Sequence, residues 1–456
     1  MDLISVNPAT GKKINIFKEI DLNDLDALVN NANQAYAQWS TLSINNRAIW
    51  IKKAAAILRE RKIELAELMT EEMGKPIAQA EGEVEKCAYV LDHYAENAER
   101  FLEDELIESR FSKSIVSYRP LGVVLGIMPW NFPFWQVFRF TAPQLMAGNT
   151  VVLKHSNNTT GCAVAIEDVF RSAGLPDGVF STMVIDVDKV ERVIKNPIIK
   201  GISFTGSSRV GKILAAQAGS VMKKCVFELG GSDPYVILDD ADMENAANVI
   251  VNARFNNAGQ TCISPKRLIV TKNKSEEFTK YVLESAKSWK CDYPFKSEPN
   301  IIGPLARFDL LETFAYQIEE SIKLGAKCLM GGKVWPGEGF FYQPTVLVDV
   351  KPGMPAYDEE LFGPAISIIV AEDEEDAIRI ANDTEFGLGG AIFTTDIKRA
   401  EYIAKHLLQC GAVFINDFVQ SDPKLPFGGI NASGYGREIG IHGIREFTNI
   451  KTICVK

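Results

Sequence analysis

The sequence predicts two α/β domains, each carried on a parallel sheet, with a small β element outside both. Three observations lead there. Short, nearly continuous apolar runs rich in β-branched residues alternate with helical stretches, as expected of strands buried on both faces. These runs fall into two series, on either side of a glycine-containing turn that bears one cysteine. At 456 residues the chain is about three times a typical domain, enough for two or three cores.

The stretch from Arg47 to Met73 keeps apolar residues at helical spacing and then meets Gly74-Lys75-Pro76, which predicts one long amphipathic helix with a sharp stop. A second helical stretch runs from Glu83 to Glu103. The first series of strands is VVLGIM (123–128), TVVLK (150–154), STMVI (181–185), GISF (201–204) and YVIL (235–238). The second is RLIVT (267–271), TVLVDV (345–350), ISIIVA (366–371), AIFTT (391–395) and AVFIN (412–416). Two further strand-like stretches, SRFSKSIVSYRP (109–120) and NIKTICVK (449–456), belong to neither series. Strands with no sheet of their own are expected to pair across an interface.

Composition narrows the function. Hydrophobic residues make up 46% and charged residues 24%, globular averages without disordered or disulfide-framework bias. A net charge of −10 gives no general field for nucleic acid or an anionic membrane. The eight cysteines are scattered singly, with no CxxC and no Cys/His cluster, which speaks for a reducing compartment and against a metal site. The opening MDLISVNPATGKKINIF lacks the layout of an export signal, and no run of eighteen apolar residues occurs. A cytoplasmic protein is expected.

Several motifs carry chemistry. In FTGSSRVG (204–211), after a strand and before a helical run, Gly206 is able to take a positive φ and Ser207 to cap the helix. Backbone N–H groups would then face a phosphate, although a plain glycine turn reads the same locally. Lys154 ends the run TVVLK, where ligands sit in open parallel sheets; a solvated strand-end lysine is the plainer account. Glu228, in ELGG, is either an ion-pair partner at a domain edge or a carboxylate of raised pKa, and the two glycines allow close backbone approach. Cys262 stands in GQTC. Most single cysteines are inert core residues, but this one lies on a turn. The chain has four histidines, His93, His155, His406 and His442, none in a turn-rich motif, so a Cys-His pair is unsupported and a carboxylate acting on thiol or water is the better candidate. In MPWNFP (128–133), Asn131 is either a turn asparagine or an oxyanion donor.

Together and in this order PWNFP, Lys154, FTGSxxVG, ELGG, GQTC, EELFGP and LPFGGxxxSGxGRExG resemble the NAD(P)-dependent aldehyde dehydrogenase superfamily, over roughly Asn7 to Lys451. The short form, with SDPKLPFGG and NFPFWQVFRF, is most similar to the bacterial succinate-semialdehyde dehydrogenase branch. The resemblance implies two Rossmann-like domains and a β oligomerisation flap. Residues 1–104 and 121–229 would bind the dinucleotide, 230–430 would form the catalytic domain, and 105–120 with 431–456 the flap and C-terminal strand. It implies that Cys262 attacks the aldehyde, that the Asn131 amide and the Cys262 N–H hold the oxyanion, and that hydride passes to the nicotinamide. Glu228 would then be the base for hydrolysis of the thioester. Trp130, Lys154, Gly206, Ser207, Glu360 and Phe362 would contact NAD or NADP. A homodimer or homotetramer is implied.

Two departures bear on specificity. Where many NAD-preferring relatives carry glutamate three positions after the cofactor lysine, this chain has Asn157, so NADP is tolerated. Arg139 matches one arginine that grips the distal carboxylate of succinate semialdehyde, but the second is Asn256 here, and the carboxylate-binding serine aligns at Asp422 with Ser421 adjacent. The expected substrate is succinate semialdehyde. Other semialdehydes, broader specificity and CoA-acylating chemistry are the alternatives, and Glu228 counts against the last.

Overall fold

The computed structural model of the protein describes residues 2–456, so the first position of the expected 1–104 segment lies outside the described residues. Two sheets organise the chain. The first has six strands in the order Gly434–Tyr435, Lys224–Glu228, Ile199–Thr205, Val123–Met128, Thr150–His155 and Phe180–Thr182. All are parallel except Gly434–Tyr435, which pairs antiparallel with Phe227 and Glu228. Both faces are covered: Val123 and Leu125 point into one core, Val124 into another, which is why the run is apolar at every position.

From Val123–Met128 the chain builds outward through Thr150–His155 to Phe180–Thr182, then returns to the other side of the first strand with Ile199–Thr205. The order therefore reverses between Val123–Met128 and Ile199–Thr205. A crevice opens beyond the carboxyl ends of strands at such a reversal.

The second sheet has seven strands, in the order Lys327–Met330, Thr345–Val348, Ala365–Ala371, Arg267–Thr271, Pro234–Ile237, Gly389–Phe393 and Ala412–Ile415. Only Lys327–Met330 is antiparallel. YVIL was expected with the first series, but Pro234–Ile237 lies inside the second sheet, between Arg267–Thr271 and Gly389–Phe393. Residues 229–233 carry the chain from one sheet to the other. An apolar strand reads alike in either sheet, so the run itself could not assign it.

Two other expectations change. The helix expected over Arg47 to Met73 is two, Ile44–Glu60 and Lys62–Met73, separated at Arg61, which leaves helical geometry (φ −94°, ψ 15°) and pairs with Asp168 at 2.7 Å. The strand expected over 181–185 is the shorter Phe180–Thr182. The two strands that belong to neither series lie outside both large sheets: Thr448–Val455 runs antiparallel to Lys113–Pro120, with Glu105–Leu106 on the far side of the latter, in a separate three-stranded sheet.

Candidate active site

Cys262 follows a turn that the chain makes under constraint. Asn257, Ala258 and Gly259 have φ of 53°, 54° and 73°, a left-handed run that residues with a Cβ adopt only where their surroundings over-determine it. Those surroundings are present. The buried Arg254 donates to Gly259 O (3.1 Å), Ser264 Oγ (2.6 Å) and Leu361 O (2.8 Å), and Gln79 Oε1 accepts from Asn257 N at 2.8 Å. A Cβ on Gly259 would lie 2.2 Å from Gly363 O, so glycine is required there. The buried Lys266 donates to Cys262 O (2.6 Å) and Thr261 O (3.0 Å) and pairs with Glu360 at 3.3 Å. Burial pushes the Cys262 thiol up to about 12, and the charges of Lys266 and Arg139 pull against it.

Asn131 is held at the same turn. Its Nδ2 donates to Gln260 O at 3.0 Å, and its own carbonyl accepts from Asn257 Nδ2 at 2.8 Å, which brings the amide to within two residues of the cysteine along the chain. Glu228 ends its strand, buried, with neither carboxylate oxygen hydrogen-bonded. Burial and the neighbouring Glu438 hold its carboxyl well above the usual range, while Arg139 and Arg437 act in the opposite sense. The paired glycines after it serve close approach: a Cβ on Gly230 would meet Glu360 Oε2 at 2.5 Å, and one on Gly231 would meet Cys262 O at 2.8 Å.

A pocket of about 120 Å³ opens over the thiol, with Arg139, Asn256, Cys262, Phe418, Ser421 and Phe427 among its lining. That is small beside the roughly 300–1,000 Å³ of pockets for drug-sized ligands, and suits a short substrate. Arg139 does not enter it as a free cation. Its guanidinium is in a buried ion pair with Glu438 through Nε and stacks 4.7 Å from the Phe427 ring centre; the buried Nη2 has no hydrogen-bond partner among the described residues. No histidine lines this pocket. His155 is locked between Pro133 O and Thr159 Oγ1, and burial pulls it down to about 4.

The crevice where the strand order reverses lies beyond Met128 and Thr205, and it gathers most of the remaining candidates. Trp130 follows Met128 and meets Phe362 edge-on, ring centres 5.8 Å apart. Ser207 caps the helix Ser208–Gly219, its side chain accepting from Val210 N. Gly206 is not left-handed, contrary to expectation; a Cβ there would lie 2.4 Å from the Phe204 ring, so close approach is what excludes a side chain. Thr205 Oγ1 is buried without a partner beside it. Lys154 Nζ donates to Asn157 Oδ1 at 2.8 Å, and Asn157 Nδ2 to Asp186 at 2.9 Å. Burial draws Lys154 down to about 8, a cation in want of an anion. Helix-start N–H groups, an orphaned hydroxyl and this lysine on one crevice fit a dinucleotide.

Residues 2–453 match the profile of the Aldehyde dehydrogenase family. The chain belongs to that family. The NAD(P)+ succinate semialdehyde dehydrogenase of Escherichia coli (strain K12) is 43% identical over 452 residues, covering 99% of this chain and 97% of that protein. A probable NADP+ succinate-semialdehyde dehydrogenase of Synechocystis is 43% identical over 455 residues, the full length of both. Among solved structures, succinic semialdehyde dehydrogenase from Streptococcus pyogenes in complex with NADP+ superposes with a TM-score of 0.97 at 34% identity, covering 99% of each chain.

As an aldehyde dehydrogenase, the protein has site residues that the sequence did not single out. Arg254 and Lys266 fix the cysteine turn, Glu438 occupies Arg139, and Lys86 lines the pocket. Glu438 was visible inside the GRExG motif. The others carried no local signal, since a helical lysine and an arginine before a turn read as solvated charges.

Proposed function

We propose that this aldehyde dehydrogenase oxidises succinate semialdehyde to succinate with NAD or NADP. The observation that carries the reading is one small pocket lined together by Cys262, the cation Arg139 and Ser421. The names of its relatives point the same way.

Cys262 Sγ is the nucleophile. Its attack on the aldehyde carbon requires loss of the thiol proton, which the charges of Lys266 and Arg139 favour. The Asn131 amide, released from Gln260 O, and the Cys262 N–H hold the oxyanion of the thiohemiacetal. Trp130, Lys154, Asn157, Gly206, Ser207, Glu360 and Phe362 would hold the dinucleotide, which when bound supplies the two-electron oxidant. Glu228, desolvated and unpartnered, takes a proton from the water that hydrolyses the thioester. Because Asn157 carries no charge, position 157 does not repel a 2′-phosphate, and Lys154, which donates to Asn157 and His155 O, keeps a third N–H for it, so both cofactors are accepted.

Residues 2–104 and 121–229 are assigned to cofactor binding and 230–430 to catalysis. The three-stranded sheet is assigned to subunit contact, since Leu106, Ile450 and Val455 on it are exposed. A dimer or tetramer follows, and a solution mass of 50.4 kDa by light scattering would refute it. Eight free cysteines suit the cytoplasm, and no helix among the described residues is long and apolar enough to cross a membrane.

The test is kcat/KM for succinate semialdehyde against butanal, with each cofactor. A charge-assisted contact is worth about 1.5–3 kcal/mol, so the charged substrate should win by about tenfold or more. Equal values would sink the reading.

A further inference from the structure

We propose that Lys86 is the specificity-determining cation of the pocket and, with Ser421 and Arg139, binds the distal carboxylate of an aldehyde acid. The proposal rests on the reading of the pocket given above and names the residue that completes it.

Lys86 lies on the helix Ile77–Phe101 and reaches the wall of the Cys262 pocket. Its Nζ donates to Ser421 Oγ at 3.1 Å and sits 4.2 Å from the centre of the Trp135 ring. An ammonium has three N–H donors. One goes to the serine, the ring face meets another side of the charge, and a third is left over.

The charge balance is the stronger argument. Lys75 and Lys266, buried close by, each face a carboxylate, Glu83 and Glu360. Lys86 is in no ion pair among the described residues, although its surroundings are the apolar walls Phe132, Trp135 and Phe427. Burial and the repulsion of Arg139 draw its ammonium down to about 8, against the weaker pull of Glu83 and Asp422, neither of which pairs with it. Arg139 contributes a second positive group, and its one ion-pair partner, Glu438, faces Nε and leaves Nη1 and Nη2 without a hydrogen bond among the described residues. Two cations with spare donors on one small cavity call for an anion small enough to share it with the reacting carbon. A carboxylate at the far end of a short aldehyde meets that demand.

Lys86 also accounts for Asn256. That neutral side chain lines the same cavity, and a second, adjoining one shares Lys86, Phe132, Trp135 and Asn256 with it. The positive charge missing at position 256 thus enters from a helix far earlier in the chain.

The experiment compares wild type, Lys86→Met and Lys86→Arg on succinate semialdehyde and butanal, and measures inhibition of butanal oxidation by succinate. The expected result for Lys86→Met is a fall in kcat/KM for succinate semialdehyde about tenfold or more beyond any fall for butanal. It should appear chiefly in KM, with a matching loss of succinate inhibition and substantial recovery in Lys86→Arg. Equal effects on both aldehydes, or unchanged succinate inhibition, overturn the role of Lys86. If wild type shows no preference for succinate semialdehyde, the substrate reading fails by itself. Succinate inhibition then decides Lys86: weakened by Lys86→Met it stands, and unaltered or absent in wild type it falls.

Discussion

Glu228 and Arg139 show how one residue's role depends on its neighbours. Arg139 was legible from its motif as a carboxylate clamp, yet much of its charge is already committed to Glu438. No spacing rule could reveal that, because Glu438 arrives from 299 positions later in the chain. Lys86 was illegible for the complementary reason: on an amphipathic helix a lysine facing a pocket and one facing water have the same local sequence. Glu228 was legible as a carboxylate of either high or ordinary pKa, and its burial beside Glu438 decides for the high one. A base must be ionised, so steady-state turnover should rise with pH through this elevated pKa. Glu228→Gln should release about one equivalent of reduced cofactor per site in a rapid burst and then stall. Stopped-flow absorbance checks this, and undiminished steady-state turnover would remove Glu228 from the hydrolysis.

Among the elements, the helix Trp135–Ala147 is the one whose placement matters most to the pocket, since it carries Trp135 and Arg139. Its first turn has no capping side chain of its own. Glu83, from the helix Ile77–Phe101, supplies one: its Oε1 accepts from Phe134 N (3.0 Å) and Trp135 N (2.9 Å), and the carboxylate also pairs with the buried Lys75. The negative charge sits at the positive end of the helix dipole. Glu83→Ala leaves Lys75 buried without its partner and two N–H groups unsatisfied, a loss of about 3–5 kcal/mol. Denaturant unfolding should show it, and a change below about 1 kcal/mol would mean the cap is dispensable. Sequence periodicity placed the helix Ile77–Phe101 at Glu83 to Glu103, six residues late at its start, and gave Trp135–Ala147 no bounds. It missed the break at Arg61, where the apolar stripe continues across the kink and the side chain bonds both Glu64 and Asp168, the latter 107 positions away in the chain.

At the scale of the whole molecule, the alternation of apolar runs and helices was enough to announce two sheets. It could not assign the junction: Lys224–Glu228, with a charge at each end, was not in either series, so YVIL was joined to the first sheet although residues 229–233 carry the chain across to the second. Nor did it register Lys327–Met330, whose alternating exposure marks an edge strand. The pairing of Gly434–Tyr435 with Phe227–Glu228 has a further consequence, for synthesis. A chain leaving the ribosome has made every other strand of the first sheet once residue 228 has emerged. Its outer edge nevertheless stays open until residue 435, and Gly428, Arg437 and Glu438, which surround the Glu228 carboxylate, arrive in the same late segment. A nascent or prematurely terminated chain therefore carries the strands of this scaffold with an unfinished base, so the hydrolysis proposed for Glu228, and with it repeated turnover, waits until translation is nearly complete.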